Sequence, residues 1–131
     1  MELTKEQIEF YNDLDNLSDE ERYKFICDAK DCIQNTGFNY TMSIISGKYK
    51  MIILYTIGQF GTIRTNEMQR YIKGISFKTL SANLKELERD ELIIRHEYPQ
   101  IPPRVEYELS EKGKSLIPIF NALCAWGYQH R

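Results

Sequence analysis

Histidine and cysteine are scarce, with two of the first and three of the second among 131 residues. His96 and His130 stand far apart, and no serine–histidine–aspartate order, metal-ligand spacing or phosphate-binding loop surrounds them. The sequence therefore offers no catalytic centre, no metal site and no cofactor site. Cys27, Cys32 and Cys124 are odd in number and widely spaced, which excludes a secreted disulfide framework and a zinc site built on short paired spacings. No apolar run reaches the roughly 18 residues of a membrane-spanning helix, and the opening MELTKEQ lacks the charged-then-apolar order of a secretory signal. A cytoplasmic protein is the expectation. Internal repeats and low-complexity stretches are also missing.

What is present begins with an uneven distribution of charge. The net charge is −2, yet residues 1–35 hold 10 acidic and 4 basic residues, whereas residues 36–131 hold 9 acidic and 13 basic ones. A mildly basic body thus follows an acidic extension, a division that suits a polyanionic partner for the body. Thr4 with Gln7 and Ser18 with Glu21 have capping-box spacing and predict helices over 5–16 and 19–34. Ile8, Tyr11 and Leu14 line the first, and Tyr23, Ile26, Cys27 and Ile33 line the second. Gly37 punctuates the end of this region.

After Gly47 the run MIILYTI predicts a central buried helix ending at Gly58 to Gly61. Asn66 with Gln69 has capping spacing and predicts a short helix with Met68 and Ile72 inward. Gly74 makes the turn that follows, and Ser76 is placed to cap the next helix. There Leu80, Leu84 and Leu87 form a narrow apolar stripe, while Lys78, Ala82, Lys85 and Arg89 fall opposite, flanked by Thr79 and Ser81. Helix, short glycine-containing turn and basic-backed helix make the helix-turn-helix pattern. Leu92 to Tyr98 and Arg104 to Leu109 then read as a hairpin, with Val105, Tyr107 and Leu109 on one face and Glu106 and Glu108 on the other. Pro99, Pro102 and Pro103 confine its connection to a loop. A hairpin directly after such a helix is a wing, and Arg104 near its tip is placed to meet phosphate or a minor groove. Ser110 caps a final helix whose Leu116, Ile119, Phe120, Leu123 and Trp126 form a broad apolar face. The predicted fold is mainly α with a small β-wing: a winged helix-turn-helix with helical additions at both ends.

The spans GKYKMIILYTI, RTNEMQRYIKGISFKTLSANLKELERDELIIR and YPQIPPRVEYELSEKGKSLIPIFNALCAWG resemble the HxlR-type winged-helix transcriptional regulators, a group related to the MarR regulators. The resemblance covers residues 36–131 and implies a homodimeric DNA-binding regulator of palindromic operators, with terminal helices making the dimer. The chain departs from the family pattern at Tyr49, where tryptophan is usual, and at Thr65, where phenylalanine is usual. Thr36 stands where many members carry a sensing cysteine, and Cys32 is the nearest thiol and the redox candidate here. Acidic Asp28 and Asp31 oppose thiolate formation at Cys32, and burial as packing residues is the plainer role for all three cysteines.

These readings make residues 1–35 an acidic helical extension and residues 36–131 a winged-helix DNA-binding domain with a C-terminal dimerisation helix. Ser76, Lys78, Thr79, Ser81, Ala82, Lys85 and Arg104 are the expected DNA contacts, and Leu116, Phe120, Leu123 and Trp126 the expected dimer interface. Each has a plainer alternative: a solvated basic helix face, an Arg89 that only meets the helix dipole, and a final helix that only completes a monomer core. The rival function is a winged-helix adaptor that binds protein and not DNA. Its binding would be indifferent to salt and to Lys78 and Lys85.

Overall fold

The apolar segment after Gly47 becomes helix α2 (Lys50–Phe60), and helix α1 (Gly37–Ile45) leads into it. They belong to a computed structural model that describes residues 16–20 and 37–131, with the chain divided into two compact units, Met1–Ser43 and Ile44–Arg131. The helices expected over 5–16 and 19–34, together with Thr4, Gln7, Glu21, Cys27, Cys32 and Thr36, fall outside the described residues, save that Asp19 and Glu20 are helical. Among the described residues no helix is long and apolar enough to cross a membrane.

Helix α2 is two-faced, not wholly buried. Ile53, Leu54 and Ile57 enter the core, whereas Met51, Ile52 and Tyr55 stay exposed. Its apolar residues encircle the helix, and this unit covers one side only. The helix ends at Phe60, within the expected stretch Gly58 to Gly61, though not at Gly58 itself. Gly58 lies inside it, where an added Cβ would meet Leu109 Cδ1 at 3.3 Å, and Gly61 is the C-cap.

The helix-turn-helix comprises α3 (Thr65–Tyr71) and α4 (Phe77–Arg89). Helix α3 opens one residue before the expected Asn66. Arg64 is its N-cap without a side-chain bond, and Asn66 Oδ1 instead accepts from the Glu67 N–H at 3.0 Å. Met68 and Ile72 are buried as predicted. Gly74 takes φ 82°, a left-handed conformation that side chains bearing Cβ resist, and this lets the chain turn from α3 into α4. Ser76 caps α4 as predicted, its Oγ accepting from the Thr79 N–H at 3.1 Å. Leu80, Leu84 and Leu87 are buried to the last few per cent, each stabilising the unit by about 2 kcal/mol through removal from water. The helix stops in a Schellman arrangement: Leu92 N–H donates to Leu87 O and Glu91 N–H to Glu88 O, both at 3.0 Å, with Glu91 at φ 60°. Leu87 and Leu92 pack into the core beside this stop, which directs the chain into the wing.

Strands β1 (Thr62–Arg64), β2 (Ile93–Tyr98) and β3 (Arg104–Leu109) form an antiparallel sheet in the order β1-β3-β2. The wing strands pair Tyr98 with Arg104 and Ile93 with Leu109, and β1 adds Ile63 opposite Tyr107. Strand β1 has no counterpart in the sequence reading, since three residues are too few to show alternation. It changes the expected faces of β3: Glu106 is buried, not solvent-facing, and arginines beside it supply the countercharge. The C-terminal segment also departs from one continuous helix. Ser110 caps the four-residue α5 (Glu111–Lys114), and α6 (Ile117–His130) starts after a break, with Pro118 in its first turn where a missing N–H loses nothing.

Candidate nucleic-acid interface

The exposed side of α4 is built from its cap outward. Ser76 Oγ is committed to the helix N-terminus and also donates to Thr79 Oγ1 at 2.9 Å, so these two hydroxyls organise each other. Lys78, Ala82 and Lys85 project into solvent, with Ser81 partly covered beside them. Phe77, which the sequence reading passed over, is 63% exposed at the first position of the helix. A phenylalanine beginning an otherwise polar face had no periodic signal to mark it.

Charge on this face is unbalanced by construction. Lys50, which directly precedes the apolar run MIILYTI, is 8% exposed, and its Nζ lies 2.8 Å from Glu86 Oε2. That bond joins α2 to α4 and holds the Glu86 carboxyl below its usual range, mainly because the ammonium hydrogen-bonds it. Glu86 is thereby occupied, while among the described residues Lys78 and Lys85 meet no ion-pair or hydrogen-bond partner. Arg70 on α3 and Lys73 in the turn are likewise exposed and without a partner among the described residues, and neither stands out in the sequence. Arg89 lies 3.6 Å from Asp90 at the helix end.

The wing is the opposite case. Arg95 Nη1 donates to Glu97 Oε2 at 3.0 Å, and His96 Nε2 lies 3.1 Å from Glu108 Oε1. Arg104 Nε donates to Glu106 Oε1 at 2.6 Å, its Nη2 reaches the same oxygen, and its guanidinium sits 5.5 Å over the Tyr98 ring. Arg64 stands 3.8 Å from that carboxylate. Arg104, expected to be a free cation near the tip, is part of the wing's own architecture.

Between α2 and α6 runs an open apolar groove of about 290 Å³ lined by Met51, Ile52, Tyr55, Phe120, Leu123 and Cys124. The Cys124 thiol beside Tyr55 pushes the phenol above its ordinary range, with burial adding to it. The four residues expected at a dimer interface separate into two pairs. Leu116 and Phe120 are buried within the single chain, whereas Leu123 and Trp126 are 52% and 64% exposed.

A capped basic helix after a glycine turn, followed by a hairpin and backed by a leucine core, defines a winged-helix transcriptional regulator of the helix-turn-helix class. Residues 44–131 match the HxlR-like helix-turn-helix family, and the chain belongs to it. An HTH-type transcriptional regulator of Halalkalibacterium halodurans is 50% identical over 99 residues, covering 76% of this chain and 88% of that one. Among solved structures, the HTH-type transcriptional regulator YtcD superposes with a TM-score of 0.69 at 44% identity, covering 72% of this chain and 96% of the other. The redox regulator HypR in its oxidised form gives 0.68 at 38% identity, covering 73% and 98%. These relatives are regulators and not enzymes, as the absence of catalytic spacings in the sequence led one to expect.

Proposed function

We propose that the protein is a cytoplasmic, sequence-specific binder of double-stranded DNA that acts as a homodimer on a palindromic operator. The carrying observation is the uncompensated positive charge of Lys78 and Lys85 on a rigidly capped helix, set beside wing bases that are all paired. In this reading α4 enters the major groove with Lys78, Ser81 and Ala82 at base edges. Ser76 and Thr79 fix the helix N-terminus that carries them. Lys85, with Arg70 and Lys73, holds phosphate, and Arg104 contributes less because a phosphate must displace Glu106 from it. Leu123 and Trp126 meet a second copy across the groove, supported from below by Leu116 and Phe120. Residues 1–35 are an acidic addition to this regulator domain, and Cys32 within them is the candidate for any redox input.

Two recognition helices in successive major grooves lie about 34 Å apart, which sets half-site centres about ten base pairs apart, or about twice that if the terminal helices splay the subunits. Lys85→Ala should weaken specific and non-specific DNA binding alike and flatten the log–log salt slope by about 0.9 per contact removed, hence nearly 2 for a dimer. Fluorescence anisotropy from low to moderate salt measures this. An unchanged slope would remove Lys85 from the interface.

A further inference from the structure

The wing's main DNA contact is an apolar side chain, with Arg104 held back by Glu106: we infer that Ile101 enters the minor groove flanking the half-site. This deepens the DNA-binding reading and rests on it. Ile101 is fully exposed, at 102% of its reference area, on the loop joining β2 to β3. Each wing base (Arg95, His96 and Arg104) already faces a carboxylate, so the hairpin brings no free positive charge to a phosphate. The tip presents Pro99, Gln100, Ile101, Pro102 and Pro103, all exposed, and isoleucine is the one large aliphatic side chain among them. Isolated exposed apolar residues are common on soluble proteins, and what distinguishes Ile101 is its full exposure at the outermost point of the wing, where a shallow apolar contact can use it. The flanking prolines restrict the loop before binding, so little additional order is required on contact.

Reach supports the minor groove as the occupant. The wing follows α4 directly through the Schellman stop, and β2 packs against α4. Six strand residues at about 3.3 Å each extend the wing roughly 20 Å. The groove next to an occupied major groove lies about half of a 34 Å turn away, near 17 Å. Aliphatic side chains in a minor groove contact sugar edges and wedge between base steps, most readily at flexible pyrimidine–purine steps. The groove floor also tells A·T from G·C pairs by the guanine 2-amino group, which obstructs an aliphatic probe.

The test uses the full-length protein on its selected operator, comparing wild type, Ile101→Ala and Ile101→Leu. Replacing adenine by 2,6-diaminopurine at the flanking steps adds a 2-amino group to the minor groove and leaves the major-groove edge unchanged. Wild type and Ile101→Leu should lose about tenfold in affinity on the diaminopurine duplex. Ile101→Ala should bind the natural duplex about tenfold more weakly than wild type and be indifferent to diaminopurine. All three should keep the same salt slope and melting temperature, since the side chain touches solvent only in the free protein. Equal affinity of wild type and Ile101→Ala, or equal sensitivity of both to diaminopurine, overturns the inference while leaving DNA binding by α4 intact. Failure of wild type to bind any duplex overturns the DNA reading itself, and the wing inference with it.

Discussion

Gly113→Ala should lower the unfolding free energy by about 3 kcal/mol or more and the melting temperature by roughly 15 °C, since overpacking at a backbone contact has no rotamer to relieve it. The glycine lies in α5, where an added Cβ would overlap the carbonyl oxygen of Leu92 and come within 3.2 Å of its carbon, with Leu109 Cδ2 at 3.3 Å. That oxygen cannot retreat freely. It accepts from the Ser110 N–H at 3.1 Å, and Ser110 Oγ in turn accepts from Gly113 N–H and donates to Glu91 O. The contact therefore fastens α5 to the junction where α4 passes into the wing. Forcing it apart would move α4, the proposed recognition helix, relative to the wing, so operator binding should fall along with stability. Thermal denaturation followed by circular dichroism reads the first effect. A melting temperature within about 2 °C of wild type would show that the junction yields more easily than this packing implies.

Leu123→Asp should convert the proposed dimer to monomer and reduce operator affinity by 10² to 10⁴-fold, roughly the advantage of joining two binding modules. Leu123 lines the α2–α6 groove, and Trp126 extends the apolar surface next to it. Met51, Ile52 and Tyr55 line the same groove and are exposed as well, and an apolar surface of this kind marks an interaction site when a partner covers it. A carboxylate in the middle of that surface is hydrated in the monomer and would be desolvated without a partner in the dimer. Because Leu123 is half exposed, the single chain should still fold, and an unchanged melting profile at low concentration separates loss of assembly from loss of structure. Sedimentation should give dimer for wild type and monomer for the variant at micromolar concentration. A monomeric wild type would remove the homodimer from the account.

The elements with long, strong patterns were readable from sequence. The leucine stripe of α4, its Ser76 cap, the Gly74 turn and the proline-broken hairpin each follow from spacing or backbone chemistry acting over a few neighbouring residues. Features that depend on distant partners were not. Lys50 looks like a blemish in an apolar run until α4 brings Glu86 against it. The side of α2 that stays in water cannot be told from its composition, because both sides are apolar. Strand β1 exists only through pairing with β3, and that pairing turns Glu106 from a solvent residue into the anchor of Arg104. Arg104 is the instructive case among the site residues. Its position beside the tip was legible, but its availability was decided by a neighbour two residues along on the same strand. Gly58 and Gly113 lie within helices and serve close packing, a role that depends on the distant Leu109 and Leu92 and leaves no local pattern.

Selection of bound duplexes from a random pool by the purified full-length protein tests the central claim most directly. The account predicts an inverted repeat with half-site centres about ten or about twenty base pairs apart, and A·T preference at the flanks where the wing falls. A pool that stays random after repeated rounds, with binding indifferent to salt and to Lys78→Ala and Lys85→Ala, would contradict it.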